Sequence, residues 1–161
     1  MRECRVFATD VDGTLTDGGM YYSEAGEVLK RFDTRDAAGM QLLRERGITL
    51  AVITSEDSPI VTARARKLGI AHVYVGVKDK YPLCTRLLEE LQVPWEKFAY
   101  IGDDLGDLQV LAAAGFSACP ADACPEVRDT ADYVCSRSGG HGAVREFCER
   151  ILKEVKGATE P

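Results

Sequence analysis

Two short acidic runs carry the chemistry of this sequence. Asp10-Val11-Asp12-Gly13-Thr14 stands directly after the strand-like run from Arg5 to Thr9. In extended chain, residues i and i+2 point the same way, so both carboxylates face one crevice. Gly13 lets the chain turn sharply there without a Cβ. Carboxylates held close separate in pKa, which suits one to attack an electrophile and the other to carry a proton. The second run, Gly102-Asp103-Asp104-Leu105-Gly106-Asp107, follows a stretch ending Tyr100-Ile101. It offers hard oxygen ligands of the kind Mg²⁺ takes. Between the two runs come Thr54, closing an apolar run, and Lys80, opening a helix. A hydroxyl and an ammonium arriving at the same sheet edge would hold and neutralise phosphoryl oxygens. Taken singly, each feature has an ordinary explanation: Asp-x-Asp arises by chance, and a Lys at a helix start is usually solvated. Four groups of the right type at strand ends, in this order, do not reduce to those explanations.

The frame that must position these groups is legible as alternating β-type runs and helical stripes. Strands are expected near 5–9, 49–54, 72–75, 98–101, 117–119 and 133–135. Helices are expected near 36–46, 59–68, 80–91, 105–114 and 143–155. Leu83, Leu87, Leu88 and Leu91 share one helical face, as do Val144, Phe147, Cys148, Ile151 and Leu152. Gly47, Gly69 and Gly115 each follow a helix, where a left-handed stop is expected. Repeated β-α units predict an α/β fold, a doubly wound and mostly parallel Rossmann-like sheet with helices on both faces. No Pro/Ser/Gly-rich linker divides the chain, so residues 1–161 are read as a single domain. Residues 18–32 break the rhythm. Met20-Tyr21-Tyr22, a Gly-containing turn and Val28-Leu29-Lys30-Arg31-Phe32 predict a β-hairpin after the first strand. In an open α/β sheet that is the carboxyl edge, where ligands bind.

Composition closes off other classes. A net charge of −6 without any Lys/Arg tract argues against a nucleic-acid partner. No apolar run approaches a membrane span, and Met1 leads almost directly into the first strand, so no signal peptide is expected and the cytoplasm is the expected location. Six cysteines without a C-x-x-C pair read as reduced core thiols rather than a zinc site. With only His72 and His141, a Ser-His or Cys-His nucleophile system is poorly supplied.

DVDGT, Thr54, Lys80 and GDDLGD together resemble the four motifs of the haloacid dehalogenase superfamily, along essentially the whole chain. The resemblance implies that Asp10 forms an aspartyl-phosphate while Asp12 protonates the leaving oxygen and then activates water. It implies a Mg²⁺ cofactor held by Asp10, the Asp12 backbone carbonyl and Asp103. Thr54 and Lys80 would bind the phosphoryl group, with Lys80 steadied by an acidic neighbour such as Asp107. The usual last motif often has Asn where this chain has Gly106, a departure that removes no expected ligand.

Only 41 residues separate Asp12 from Thr54 and 25 separate Thr54 from Lys80, too few for a cap domain of ordinary size. A capless site either takes large substrates or is closed by another subunit. The DGxxTDG run, the hairpin, Phe32-Asp33-Thr34-Arg35-Asp36 and the late GGHGAVRE segment look like the capless sugar-acid phosphatases. These act on 3-deoxy-manno-octulosonate 8-phosphate or 2-keto-3-deoxy-nononate 9-phosphate. That branch implies a homotetramer in which hairpins associate and neighbours help close each site. Ser55-Glu56, followed by Arg64 and Lys67 at a spacing of three, is similar to the nononate pattern and sets the preferred substrate. Arg64 offers a fork to a substrate carboxylate, and Glu56 can accept from sugar hydroxyls. Arg35-Asp36 and Asp57-Ser58-Pro59-Ile60 look more like the octulosonate branch, which is the alternative. The Gly-rich segment around His141 is expected to feed the last helix, with Arg145 able to reach a neighbouring site. Two rivals are weighed. A phosphorelay receiver domain places its acidic pair before the phosphoacceptor and its Lys last, the reverse of the order here. A non-catalytic assembly module, like the carboxy-terminal part of animal CMP-sialic acid synthetases, is disfavoured because Asp10, Asp12, Lys80 and Asp103 are all present.

Overall fold

Val6-Phe7-Ala8-Thr9 forms β1 (Val6–Thr9), and every side chain in it is buried, as a strand at the centre of a two-faced parallel sheet requires. Flanking it are β4 (Thr49–Ile53) and β6 (Phe98–Ile101). Beyond them lie β5 (His72–Tyr74) on one side and β7 (Phe116–Cys119) then β8 (Tyr133–Val134) on the other. The order is β5-β4-β1-β6-β7-β8, parallel throughout. The computed structural model describes residues 3–156.

Alternation along the strands sorts the core into two layers. Phe7, Val52, Ala99 and Ile101 face α1 (Thr34–Glu45), α2 (Pro59–Lys67) and α6 (Ala143–Lys156), where Met40, Leu43, Val61, Phe147 and Ile151 close the layer. Val6, Ala8, Phe98 and Tyr100 face α3 (Lys80–Glu90), α4 (Leu108–Ala113) and α5 (Pro125–Thr130), through Cys84, Leu87, Leu111 and Val127. Burying these two layers is what offsets the chain's conformational entropy. The six cysteines carry free thiols, five of them buried, and burial pushes Cys4 and Cys84 up to about 12. Cys4 and Cys84 are therefore core residues with little thiolate at neutral pH.

Three local expectations need correcting. The helix expected over 105–114 is a single 3₁₀ turn, Leu105–Asp107, that hands over to α4. The capping box of Asp104 and Asp107 tightens that turn. The six-residue α5 was not anticipated, because it buries little more than Val127 and so shows no stripe; Pro125 at its first turn was the available signal. Gly47 and Gly69 do adopt positive φ, of 77° and 68°, but Gly115 does not. A Cβ on Gly115 would stand 2.3 Å from the Glu96 carbonyl oxygen, so close backbone approach is what requires glycine there.

The expected hairpin is present as β2 (Tyr21–Ser23) and β3 (Gly26–Leu29), antiparallel and separate from the main sheet. Met20, Tyr21, Tyr22, Val28 and Leu29 are all exposed on it.

Candidate active site

The sheet register sets the site. Thr9 is level with Val52 on one side and Ile101 on the other, so the chain leaves β1, β4 and β6 at one height. Asp10 N–H still donates to Ile101 O at 3.0 Å, carrying the ladder one residue further. Asp10, Asp12, Thr54, Ser55, Glu56, Lys80, Asp103, Asp104, Gly106 and Asp107 then line one open crevice of about 180 Å³.

At its floor, Lys80 Nζ donates to Asp10 Oδ1 at 2.7 Å and to Asp107 Oδ1 at 2.6 Å. Only 4% of the Lys80 side chain is exposed, and such a buried ammonium persists only when paired. Asp107 is saturated. Its Oδ1 also accepts from the Tyr100 hydroxyl at 2.6 Å, and its Oδ2 accepts from the N–H groups of Asp103 and Asp104 at 3.0 and 3.2 Å. It therefore braces Lys80 and the loop that carries Asp103. Tyr100 was read only as a strand residue, and nothing in its spacing distinguishes it from one.

Asp10 and Asp12 sit in unlike surroundings. Burial, reinforced by the Asp107 charge, pushes the Asp10 carboxyl well above the ordinary carboxylate range, against the opposing pull of Lys80. Asp12 is more open, with 24% of its side chain exposed. Its Oδ2 accepts from Thr54 Oγ1 at 3.3 Å and its Oδ1 from Lys30 Nζ at 2.5 Å. Thr54 in turn accepts from Glu56 N–H at 3.2 Å, which turns the chain into the crevice wall.

Asp103 takes the Thr14 hydroxyl at 2.8 Å. Gly13 passes so near that a Cβ would fall 2.1 Å from Asp103 Oδ2, and its φ of 87° is one that L side chains avoid. Burial pushes the Asp103 carboxyl up to about 6. Ligand atoms of Asp10, Asp103 and Asp107 lie within 4.8 Å of one another. That crowding of buried carboxylates fits a divalent hard cation, which would offset the burial, and the lesser repulsion, that raise Asp10 and Asp103. With Asp107 saturated by donors, Asp10 and Asp103 are the carboxylates free to hold it.

Behind the crevice, the Gly-rich segment does more than feed α6. Gly140 N–H donates to Thr14 O at 3.0 Å, and a Cβ on Gly139 would lie 1.8 Å from Gly13 O. Arg31 Nη1 donates to Gly140 O at 2.8 Å. Glu146 accepts from Ser136 N–H, Ser136 Oγ, Arg137 N–H and Tyr133 Oη, fixing the turn from below. The segment props the loop after β1 from behind and does not line the crevice. Gly139→Ala is accordingly expected to displace the Gly13 carbonyl, with a stability loss of about 2–4 kcal/mol and at least a tenfold fall in turnover. Urea midpoints and phosphate release on the same preparation check both.

Two expected substrate contacts are absent from the crevice of their own chain. Arg64 lies with its guanidinium carbon 5.6 Å above the Phe32 ring, and Lys67 is exposed further along α2. Arg35 is held by Asp33 at 2.7 Å, and the Arg145 side chain by Glu149 at 2.6 Å, away from the crevice.

Comparison with known proteins agrees with this geometry. The model of the haloacid dehalogenase-like hydrolases matches residues 27–115. The 3-deoxy-D-manno-octulosonate 8-phosphate phosphatase KdsC of Yersinia pestis is 43% identical over 96% of this chain and 84% of its own. The chain belongs to the haloacid dehalogenase-like hydrolases. Among solved structures, the cobalt-bound octulosonate 8-phosphate phosphatase of Haemophilus influenzae superposes with a TM-score of 0.93, at 39% identity, over 98% of this chain and 92% of that one. The corresponding enzyme of Moraxella catarrhalis, solved with magnesium ion, phosphate ion and a KDO molecule, gives 0.93 at 41% identity, over 98% and 90%. Within these hydrolases the chain falls in the capless sugar-acid phosphatase branch.

Proposed function

We propose that this chain is a Mg²⁺-dependent phosphomonoesterase acting on a 2-keto-3-deoxy sugar-acid phosphate, with 3-deoxy-manno-octulosonate 8-phosphate as the substrate. The observation that carries the proposal is the division of labour in the crevice. Asp10 is buried against Lys80, while Asp12 stands apart at the wall, bonded to Thr54. Asp10 attacks phosphorus, forming an aspartyl-phosphate as the ester P–O bond breaks. Asp12 gives a proton to the departing alkoxide, then takes one from the water that cleaves the aspartyl-phosphate. Lys80 and Thr54 hold phosphoryl oxygens, and Asp107 keeps Lys80 in place. Asp10, the Asp12 backbone carbonyl and Asp103 would hold Mg²⁺, which supplies charge neutralisation when bound.

The nononate preference finds no support in the relatives named above, which are octulosonate phosphatases. It rests on Glu56, Arg64 and Lys67, of which Glu56 lines the crevice of its own chain and the other two do not. The exposed apolar hairpin supports a homotetramer, since such a patch on a lone chain is otherwise left in water. No described helix is long and apolar enough to cross a membrane, which is compatible with a cytoplasmic enzyme built as one catalytic domain. Phosphate release with Mg²⁺ from the two sugar-acid phosphates tests the substrate. Faster hydrolysis of the octulosonate supports the reading, faster hydrolysis of the nononate returns the assignment to Glu56, Arg64 and Lys67, and binding without release revives the assembly module.

Metal and protons should compete. The folded-state values of Asp10 and Asp103 lie above the ordinary 3.8, Asp103 at about 6, so without metal the folded chain binds protons more tightly than the unfolded one. These two groups therefore destabilise the metal-free fold at pH 7.5, and that penalty is relieved as pH falls through 6. Mg²⁺ is expected to raise the melting temperature by several degrees at pH 7.5 and by much less at pH 5. Melting curves at both pH values, with and without the ion, check this; equal gains would contradict it.

A further inference from the structure

Lys30 has an environment that its place on a surface hairpin does not explain. It directly follows β3, yet none of its side chain is exposed. Its ammonium meets Asp12 Oδ1 at 2.5 Å and Glu27 Oε1 at 2.6 Å. Glu27 Oε2 in turn accepts from Ser58 Oγ at 2.5 Å. Ser58 is the N-cap residue of α2, but its side chain makes no capping bond. A serine there ordinarily stabilises its helix by capping; this hydroxyl is spent on Glu27. Burying an ammonium is costly unless every partner is in place. A simple strap between hairpin and body would need Glu27 and Ser58 alone. The extra bond goes to a single group, the carboxylate that the phosphatase reading makes the proton carrier.

We propose that Lys30 is a positioning residue for Asp12, fixing the rotation of its carboxylate so that the proton passes to the leaving oxygen. The inference rests on the phosphatase reading above. Lys30 holds Oδ1 and Thr54 holds Oδ2; once Thr54 turns its single proton to a phosphoryl oxygen, Oδ2 is free to carry the acid's proton and Lys30 alone fixes the rotation. A general acid has to lie within hydrogen-bond reach of the oxygen it protonates, about 2.6–3.2 Å, and a carboxylate free to turn about its χ angles loses that placement. Glu27 and Ser58 set the position of Lys30, so the hairpin's seating is built into the acid's geometry.

A merely structural role would slow all esters alike, whereas misplacing the acid penalises esters whose leaving group needs the proton. An alkyl ester leaves as an alkoxide and needs it; p-nitrophenolate leaves readily without it. The test uses single turnovers with enzyme in excess and Mg²⁺, following alcohol release from octulosonate 8-phosphate and nitrophenol release from p-nitrophenyl phosphate. These rates report the first chemical step only. Lys30→Met is expected to slow alkyl release about 100-fold, at least ten times more than it slows aryl release. Lys30→Arg should recover part of the difference. The double variant Glu27→Gln/Lys30→Met, which leaves no unpaired buried charge beside the hairpin, should show the same selective loss with a near-normal melting temperature. Equal loss on both esters, or no loss on either, overturns the proposal. A wild-type chain that hydrolyses p-nitrophenyl phosphate but not the sugar-acid phosphate overturns the substrate reading alone; glycerol 3-phosphate then serves as the alkyl ester in the same comparison.

Discussion

Asp10→Asn is expected to lower phosphate release by at least about 10⁴-fold, while leaving the fold at least as stable as before. Removing a nucleophile ordinarily costs that much or more. The amide keeps the shape of the carboxylate but cannot attack phosphorus. Stability should hold because burial already pushes the Asp10 carboxyl upward, so the fold bears a cost for keeping it ionised. Lys80 retains its second partner, Asp107, at 2.6 Å. Phosphate release and denaturant midpoints on one preparation separate the two effects. Residual activity within tenfold of wild type would sink Asp10 as nucleophile, and so would phosphate trapped on the variant chain.

The second large effect is expected from Lys80→Met. Met matches the length of the lysine stem but leaves Asp10 and Asp107 without their shared cation. Breaking a buried ion pair by removing one partner costs about 3–5 kcal/mol, and loss of one preorganised donor at a phosphoryl group costs about 10²–10³ in rate. The double variant Lys80→Met/Asp107→Asn removes one of the stranded anions. It should recover part of the stability and none of the activity. If activity returns with stability, Lys80 serves only the fold, and its role at the phosphoryl group is lost.

Much of this site could be read from sequence because its parts lie at the ends of strands. Asp10, Asp12, Thr54 and Asp103 each follow a buried β run, and parallel register brings such positions level whatever the intervening lengths. Lys80, opening α3, is placed by the same logic. What could not be read depends on contacts across the fold. Lys30 and Glu27 occupy a hairpin whose residues are ordinarily solvated, and their link to Asp12 and Ser58 exists only once the hairpin is seated against the body. Gly139 reads as part of a loop feeding α6, since the Gly13 carbonyl it packs against lies 126 residues earlier. The absence of Arg64 and Lys67 from the crevice of their own chain has a different source. Helical spacing tells which residues share a face but not what that face meets, and Arg64 meets Phe32.

The bond between Gly140 N–H and Thr14 O ties the loop after β1 to a segment 126 residues further along the chain. During synthesis the ribosome delivers Asp10 and Asp12 well before the backbone that props their loop, which emerges more than a hundred residues later. A nascent chain ending before Gly139 can have every group that lines the crevice and still lack a fixed catalytic loop. A chain in which this pairing has not yet formed holds Asp10 and Asp12 without the backbone that fixes their loop, so order in the crevice waits on a contact made 126 residues along the chain.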